Sequence, residues 1–528
     1  WFPYLYGNET HTGVDLPAAL GTNVYAVESG TVVDLRETID NNTGTGFGNF
    51  VLIRHAATHY IRQNNGTSVN QMGYIYSIHG HLAKNSVSPV IGDLVNAGQV
   101  IAQVDNTGNS TGNHIHLQID LHQLGDRVLS NLGSEIRSRN PELWLPPYNS
   151  TTRATAIGLV TNQTGTPQGG LRICGIQKPA ADILNTYVTV HTYNQNDENP
   201  DDILVENFGT TDVQPGTYHL YARNQNSPDD CNGTVYKDLG NYTFAAGQTT
   251  YIGLYPVYLP DIRANFNGWN STLVIRNNSS TDTARVVTTF FWSTGSYNVF
   301  QQRTDTVAPR ATFTFNAPNP AGSYYYGAAM VVASQDVSVV VARYRTSPYA
   351  SAAYTGITST GTTVRLPLIQ RANWGLYSDL IVMNVGSSST DATVTFQRLN
   401  QSGDICAHTL FSIAPKGSAT LNTNNVPCLG TNFVGSARIT SSQPLAVIST
   451  QWLNDQAASG QLTDYEGFPS SFDPHYLPQL MRNNFNLSNG LALQNPNGSS
   501  NAVRIDFYNQ TPPLGDCSLT NCPWQYTI

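Results

Sequence analysis

The pentapeptide HTGVD at residues 11–15 and the tripeptide HIH at residues 114–116 together supply the ligand types that a zinc ion prefers. A catalytic zinc takes three nitrogen or carboxylate ligands and keeps its fourth position open. His11, Asp15 and His116 form such a set. Alternate side chains of a strand point to one face, so the other imidazole of HIH would lie beside the metal and reach a bound molecule. The two motifs therefore predict one zinc site.

The sequence between these motifs contains further segments in a characteristic order. YSIHGHL at residues 76–82 is followed by GDLVNAGQVIA at 92–102 and by the glycine-rich NTGNSTGN at 106–113. Over residues 1 to about 125 this order resembles the lysostaphin/LytM-type zinc endopeptidases, which cut peptidoglycan peptides. The resemblance implies an antiparallel-sheet peptidase domain with its site in a groove across the sheet.

The resemblance also implies roles for individual residues. In that family the His and Asp of HxxxD and the second His of HxH bind the metal. Carried over, Zn2+ would be bound by His11, Asp15 and His116, while His81 and His114 would form the catalytic pair.

This chain departs from the family pattern at two places. His79 stands where the family has an aromatic residue, so it could replace His81 in the site, although Leu82 favours His81. Strand alternation would place His79 and His81 on one face. The other departure is an insertion at residues 55–73, whose His55 we expect at the surface.

The composition predicts an all-β protein with several domains. Of 528 residues, 40% are hydrophobic and 12% charged, which suits several cores with an uncharged polar surface. Only residues 120–139 have helical spacing. The net charge of −9 and the absence of a Lys/Arg cluster argue against a nucleic-acid partner. No apolar run is long enough to span a membrane, and we expect a mature secreted chain.

We expect five units along the chain. The first is the peptidase-like domain, the second resembles transthyretin-like (prealbumin-like) sandwiches, and the others are Ig-like repeats. Their predicted limits are 1–148, 150–256, 257–364, 365–475 and 476–528. The repeats follow from YLPDIRANFNGWN at Tyr258, which returns as RLPLIQRANWGLY at Arg365 and as YLPQLMRNNFN at Tyr476.

Each repeat also contains an arginine followed three places later by an aromatic residue. These pairs are Arg263 with Phe266, Arg371 with Trp374, and Arg482 with Phe485. They could form a glycan-binding surface, but we expect the arginine to pack on the ring within each domain.

The six cysteines form three pairs that are close in sequence. These are Cys174 with Cys231, Cys406 with Cys428, and Cys517 with Cys522. They predict disulfides in an oxidising compartment, hence an extracellular or cell-surface protein, with free buried thiols as the alternative. Asn-x-Ser/Thr sequences are numerous and offer candidate glycosylation sites.

The third repeat contains only the first half of the repeated pattern before Ile528. Its open face would need cover, either from further residues of a longer chain or from a neighbouring subunit. The aromatic segment WFPYLY at residues 1–6 is a candidate donor strand, and such donation would join copies head to tail into a filament.

Two functional hypotheses follow. The first is a secreted zinc-dependent endopeptidase that acts on peptidoglycan peptides and is carried on a β-sandwich stalk. The second is a structural subunit of a cell-surface stalk or extracellular filament, in which the peptidase-like domain serves for docking or wall binding.

Overall fold

Strands form nearly all of the secondary structure of this protein. The computed structural model describes residues 12–60, 72–123, 138–144, 151–177, 190–193, 200–201, 203–224, 231–294, 299–320, 323–347, 349–399, 401, 403–453, 460–461, 463–469, 504–505 and 526–527. No α-helix occurs within these ranges, and none of their helical segments could cross a membrane. The prediction of an all-β fold is confirmed.

The helical interpretation of residues 120–139 is wrong at both ends. Residues 120–123 complete a strand, and Ser138–Arg139 form another. The residues between them lie outside the described ranges. Ile119 and Leu121 are buried and alternate with polar neighbours, which is the period of a strand rather than of a helix.

The N-terminal region is built on one antiparallel sheet and a small β-ribbon. Its strands are β1 (Val14–Pro17), β2 (Asn23–Tyr25), β3 (Gly30–Arg36), β4 (Asn49–Tyr60), β5 (Met72–Leu82), β6 (Leu94–Val95), β7 (Val100–Gln103), β8 (His114–Gln123) and β9 (Ser138–Arg139). The sheet has the order β1-β8-β5-β4-β3-β6, with β9 paired to β8, and β2 pairs with β7.

This sheet is covered on both faces around β4 and β5. Val51 and Ile53 pack into one core with Leu117, while Leu52 packs with Ile78 on the opposite face. Because neither face of these strands is exposed to water, their register is strongly constrained.

The second region forms two facing sheets. Its strands are β10 (Ala154–Gly158), β11 (Leu171–Cys174), β12 (Val190–His191), β13 (Phe208–Val213), β14 (Gly216–Asn224), β15 (Val235–Phe244) and β16 (Thr249–Ile252). One sheet has the order β13-β10-β16 and the other β12-β11-β14-β15. A shared apolar core lies between them, and a disulfide joins Cys174 to Cys231.

The remaining strands form two related sandwiches. The first contains β17 (Tyr255–Ala264), β18 (Trp269–Asn277), β19 (Ala284–Trp292), β20 (Val299–Val307), β21 (Thr312–Asn316), β22 (Tyr325–Ala333), β23 (Val337–Thr346) and β24 (Tyr349–Thr355). The second contains β25 (Gly361–Arg371), β26 (Leu376–Asn384), β27 (Thr390–Arg398), β28 (Cys406–Ile413), β29 (Ser418–Asn422), β30 (Phe433–Leu453), β31 (Gly460–Gln461) and β32 (Thr463–Glu466).

The two sandwiches repeat one another in detail. Their first strands carry a register shift at the same place, between Leu259 and Ile262 in β17 and between Leu366 and Ile369 in β25. The following turns adopt positive φ at corresponding residues, including Asn267 in the first and Trp374 in the second. One difference is that β30 is continuous where the first sandwich has β22 and β23.

In the two described pairs, the expected packing of the arginine on the aromatic residue three places later is wrong. Arg263 lies over Trp269 and Tyr326 instead, with its Cζ 5.8 and 5.6 Å from the ring centres. Arg371 donates a hydrogen bond to a backbone carbonyl, and Trp374 is 90% exposed. Counted from the register shifts, Arg263 corresponds to Gln370, so the two arginines are not equivalent.

A buried ion-pair cluster joins the two sandwiches. Arg343 of β23 contacts Asp261 in its own sandwich and Asp464 of β32 in the next one. It also donates a 3.0 Å hydrogen bond to Thr450 of β30. Both carboxylates are fully buried. Strand β24 extends this connection by pairing with β31.

The second predicted disulfide of the chain, Cys406 with Cys428, is present in the second sandwich. Cys517 and Cys522 lie outside the described residues, as do residues 1–6 and Arg482 with Phe485. Of the third repeat, the structure describes only β33 (Arg504–Ile505) and β34 (Tyr526–Thr527), which pair antiparallel. The head-to-tail hypothesis therefore stays a prediction.

Candidate metal and catalytic site

Strands β1 and β8 bring two of the predicted zinc ligands together. Asp15 stands opposite His116 in the antiparallel ladder, and Asp15 Oδ1 lies 3.1 Å from His116 Nδ1. Gly13 permits this approach, because a Cβ there would lie 2.7 Å from His116 Nε2 and 2.5 Å from the carbonyl oxygen of Leu117. The third predicted ligand, His11, lies outside the described residues.

His114 lies beside this pair, with its Nε2 3.4 Å from Asp15 Oδ1. Its Nδ1 lies 2.7 Å from the carbonyl oxygen of Gly112 and 3.3 Å from the hydroxyl of Ser110. A carbonyl only accepts hydrogen bonds, so Nδ1 carries a proton and Nε2 faces the site. The glycine-rich loop before HIH thus fixes the orientation of the first imidazole.

A β-bulge turns His81 toward the same site. The register between β4 and β5 shifts between Asn49 and Val51, so Gly80 and His81 stand opposite Phe50 alone. His81 has a φ of 60°, in the left-handed region that costs an L-residue about 1–2 kcal/mol. Strained residues of this kind concentrate at functional sites.

The contacts of His81 define its orientation. Its ring centre lies 4.6 Å from that of His114 and 5.8 Å from that of His116. Its Nδ1 lies 2.6 Å from the carbonyl oxygen of Thr107, and its backbone N–H donates to Phe47 at 2.8 Å. Nδ1 therefore carries the proton, and Nε2 is the nitrogen available to the site.

The expectation that His79 and His81 share a face is wrong, because the bulge breaks the alternation of β5 between them. His79 pairs with Leu117, whose side chain belongs to the core on the face away from His116. Burial is the main cause that lowers the pKa of His79 to about 4. The structure thus brings His81, and not His79, to His114.

His55 is also not at the surface. It is 4% exposed, its Nε2 lies 2.9 Å from the Ser77 hydroxyl, and its Nδ1 lies 3.1 Å from the Ser29 carbonyl oxygen. Burial lowers its pKa. This histidine is a hydrogen-bonded part of the sheet and not of the inserted loop.

The two candidate catalytic histidines differ in their electrostatic surroundings. Burial, followed by the nearby imidazoles of His116 and His114, lowers the pKa of His81 to about 3. Burial also opposes the charged form of His114, but the hydrogen bond and the charge of Asp15 outweigh it and raise the pKa of His114. The site therefore holds one neutral imidazole next to one that is favoured to keep a proton.

A row of buried polar side chains extends from His116 along the same face of β8, and sequence reasoning missed it. His116 Nε2 lies 3.4 Å from Gln118 Oε1, and Gln118 Nε2 donates to Asp120 Oδ1 at 2.6 Å. Asp120 Oδ2 lies 3.5 Å from His122 Nε2. The signal was present in HIHLQIDLH, where polar residues recur at every second position of one strand.

Asp15 and His116 suit a zinc ion in their donor chemistry. A carboxylate oxygen and an imidazole nitrogen lie 3.1 Å apart here, a distance at which the two atoms can share a proton or bind one metal ion. Gln118 Oε1 stands behind the imidazole, as an acceptor usually does behind a metal-binding histidine. Within the described ranges alone, no three His, Cys, Asp or Glu side chains are arranged to hold a metal ion.

Comparisons with known proteins agree on this region. The model of Peptidase family M23 matches residues 9–128. The DD-carboxypeptidase/endopeptidase Mpg of Neisseria meningitidis serogroup B is 34% identical over 116 residues, 22% of this chain and 21% of that protein. The glycyl-glycine endopeptidase ALE-1 of Staphylococcus capitis is 29% identical over 169 residues, 31% of this chain and 38% of that protein. The chain thus spans well under half the length of these relatives.

Among solved structures, the catalytic domain of lysostaphin from Staphylococcus simulans is 26% identical, with a TM-score of 0.16, covering 24% of this chain and 80% of that one. The catalytic domain of the M23 protein EnpA from Enterococcus faecalis is 27% identical, with a TM-score of 0.17, covering 24% and 76%. The sequence matches confirm the resemblance to the lysostaphin/LytM-type enzymes: the N-terminal region of this chain is a Peptidase family M23 domain.

Proposed function

We propose that this protein is a zinc-dependent endopeptidase that cuts peptidoglycan peptides. The observation that carries the proposal is the bulge in β5, which turns His81 out of its regular alternation and against His114, beside Asp15 and His116. A left-handed histidine is a costly feature for a purely structural domain. The M23 match and the two endopeptidase relatives support the same conclusion.

His11, Asp15 and His116 are the proposed ligands of Zn2+. When bound, the ion would polarise the scissile carbonyl and lower the pKa of its water toward neutrality. Gly13 and the pairing of β1 with β8 hold Asp15 against His116, so these two ligands are placed by backbone geometry before any metal arrives. Such preorganisation reduces the cost of assembling a site.

The two remaining histidines would divide the catalytic roles. His81 holds its Nδ1 proton on the Thr107 carbonyl and offers an unprotonated Nε2, which can accept a hydrogen bond from the attacking water and orient it. His114 holds its Nδ1 proton on Gly112 and lies beside Asp15, which suits a donor to the developing oxyanion or to the leaving amine.

The location and the substrate are parts of the same proposal. The disulfides Cys174–Cys231 and Cys406–Cys428 support an oxidising, extracellular or cell-surface environment. The substrate would be a stem or bridge peptide of peptidoglycan, as the family resemblance implies.

The second candidate is a structural role for the β-sandwich units in a stalk or filament. The Arg343 cluster and the pairing of β24 with β31 favour it, because they fix one sandwich against the next. A fixed arrangement of this kind suits a stalk better than a flexible tether does. The stalk could carry an active peptidase, or the peptidase-like domain could serve only for docking.

Metal analysis and a cleavage assay on the intact chain distinguish these functions. The endopeptidase proposal expects one zinc per chain, release of peptides from purified peptidoglycan, loss of this activity after chelation and its return when zinc is added. A chain that binds peptidoglycan but holds no zinc and releases no peptide would refute it and support docking.

A further inference from the structure

Gln118 occupies a buried position directly behind the proposed zinc ligand His116. The residues His116, Gln118 and Asp120 lie at alternate positions of β8 and share one face. Gln118 and Asp120 are 0% exposed and His116 is 5% exposed. A glutamine amide in such a place must satisfy its hydrogen-bonding groups within the protein.

The amide of Gln118 has one orientation that satisfies its neighbours. Its Nε2 lies 2.6 Å from Asp120 Oδ1, and a carboxylate oxygen accepts, so this atom is the amide donor. Gln118 Oε1 must then face His116, 3.4 Å from Nε2. An amide oxygen only accepts, so this contact is favourable when His116 Nε2 carries a proton.

Thr12 contacts the same amide from the other side, and its hydroxyl can donate to the amide oxygen in this orientation. Its hydroxyl lies 2.6 Å from Gln118 Oε1, and Thr12 is itself buried. Thr12 follows the proposed ligand His11 in the sequence, so Gln118 connects both proposed ligand segments, HTGVD and HIH. Turning the amide over would place its NH2 group against His116 and its oxygen against the carboxylate of Asp120.

We infer that Gln118 and Asp120 are positioning residues that keep the proton of His116 on Nε2 and so leave Nδ1 as the metal-binding nitrogen. Nδ1 is the nitrogen that faces Asp15. The inference rests on the proposed function, because it concerns the metal-bound state of His116. Interactions behind a metal-binding histidine typically change metal affinity about 10–100-fold.

The first test observes the proton directly. In the zinc-loaded full chain with 15N-labelled histidine rings, the His116 signal, assigned with His116→Gln, should show a protonated Nε2 that exchanges slowly. Gln118→Met removes the acceptor at similar volume, and the Nε2 proton of His116 should then exchange much faster. A slowly exchanging Nε2 proton that persists in Gln118→Met would overturn the inference.

The second test exchanges the amide of residue 118 with the carboxylate of residue 120. In the double variant Gln118→Glu/Asp120→Asn, a carboxylate oxygen again faces His116 and an amide again connects residues 118 and 120. The zinc dissociation constant should rise about 10–100-fold in Gln118→Met and return to within a few-fold of the original in the double variant. Gln302→Met is the matched control, because it alters another buried glutamine far along the chain. Equal zinc affinity in Gln118→Met and the unaltered protein would contradict the role.

Asp120→Asn keeps the shape of residue 120 and decides the question if Gln118→Met does not fold. It leaves both amide orientations of Gln118 acceptable, so the Nε2 proton of His116 should exchange faster and zinc affinity should decrease while thermal stability is retained. No change in either would overturn the inference. If the unaltered chain binds no zinc, the proposed function fails, whereas zinc binding of equal affinity in the unaltered protein and in Asp120→Asn would overturn only the positioning role.

Discussion

Two buried polar clusters in this protein are built on opposite principles. In the cluster between the sandwiches, the cation Arg343 meets Asp261 and Asp464, and Thr450 accepts a further hydrogen bond. In the N-terminal site, Asp15 faces the imidazole nitrogens of His114 and His116. The first cluster balances its charges with the chain's own residues, because Arg263 also pairs with Asp261 at 2.8 Å, whereas the second gathers groups with lone pairs that favour a cation. A cluster whose charges are paired within the chain fixes the geometry of the sandwiches. An electron-rich cluster is suited to binding a cation and to catalysis.

The largest expected effect is the loss of cleavage when the site loses a catalytic imidazole. His81→Ala and His114→Ala should each lower peptide release by about 10²–10⁴-fold, the usual contribution of general acid–base catalysis. Zinc should stay bound, because neither residue is a proposed ligand. His79→Gln is the matched control and should keep its activity, since His79 lies on the opposite face. Zinc loss from His114→Ala would show that the two histidines of HIH have been interchanged.

Disrupting the ion-pair cluster between the two sandwiches should lower stability and leave catalysis unchanged. Arg343→Met leaves Asp261 and Asp464 buried without this cation, and removal of one partner of a buried pair costs about 3–5 kcal/mol. Calorimetry should show a lower melting temperature for the sandwiches, with cleavage unchanged below that temperature. Arg345→Met, which removes a cation stacked on Trp269, should have a much smaller effect. Equal effects of the two substitutions would contradict the importance of the cluster.

A third effect should depend on pH. Lys416 donates to the carbonyl groups of Val385 and Gly386 and lies 6.0 Å from the Tyr258 ring of the neighbouring sandwich. Burial lowers its pKa to about 8, although Asp201 acts in the opposite direction. Between this value and the ordinary value of 10.5, the unfolded state binds more protons than the folded state.

The free energy of unfolding should therefore rise with pH across this window, by about 2–3 kcal/mol in total. The free energy of unfolding of Lys416→Met should not show this rise. Tyrosines that titrate in the same pH range affect both proteins alike. Melting temperatures of the two proteins between pH 7 and pH 11 measure the difference. A constant difference over that range would show that Lys416 releases no proton on folding.

The smallest expected effect compares the two sandwiches at one turn. Trp374 has a φ of 50° and is 90% exposed, and Asn267 has the same φ at the corresponding residue. Asparagine tolerates this conformation better than a bulky residue does. Trp374→Asn should raise the free energy of unfolding by about 1 kcal/mol or less, and Asn267→Trp should lower it. A loss of stability in Trp374→Asn would show that the tryptophan makes a stabilising contact.

The local spacing of residues in the sequence predicted the fold class and brought out the motifs of the candidate site. The resemblance of the N-terminal region to the M23 enzymes and the all-β class could both be recognised from the sequence. The side of the sheet on which His81 lies could not be recognised from the sequence, because it depends on a bulge opposite Phe50 that no local sequence pattern indicates. The non-equivalence of Arg263 and Arg371 was hidden for a related reason, since a single-residue offset is visible only in strand register.

The row behind His116 was missed for a different reason. Its polar residues were visible at alternate positions of HIHLQIDLH, but the same segment was assigned partly to a helix. On a helix, Gln118 would not have faced the same way as His116 and Asp120. An error in local structure thus concealed a functional relationship.

The continuous strand β30 affects the order in which the second sandwich is completed during synthesis. Its 21 residues pair with β25, β26 and β27, all of which leave the ribosome earlier. In the first sandwich, β22 pairs with β17 and β19, and β23 then pairs with β18, so one layer forms before the other. In the second sandwich, the first half of β30 pairs with β25 and β27 and its second half with β26, so one uninterrupted strand completes both layers in turn. A pause in translation after residue 441 should therefore leave the layer of β25 and β27 paired and the edge of β26 open, as a pause after residue 333 does for β18 in the first sandwich.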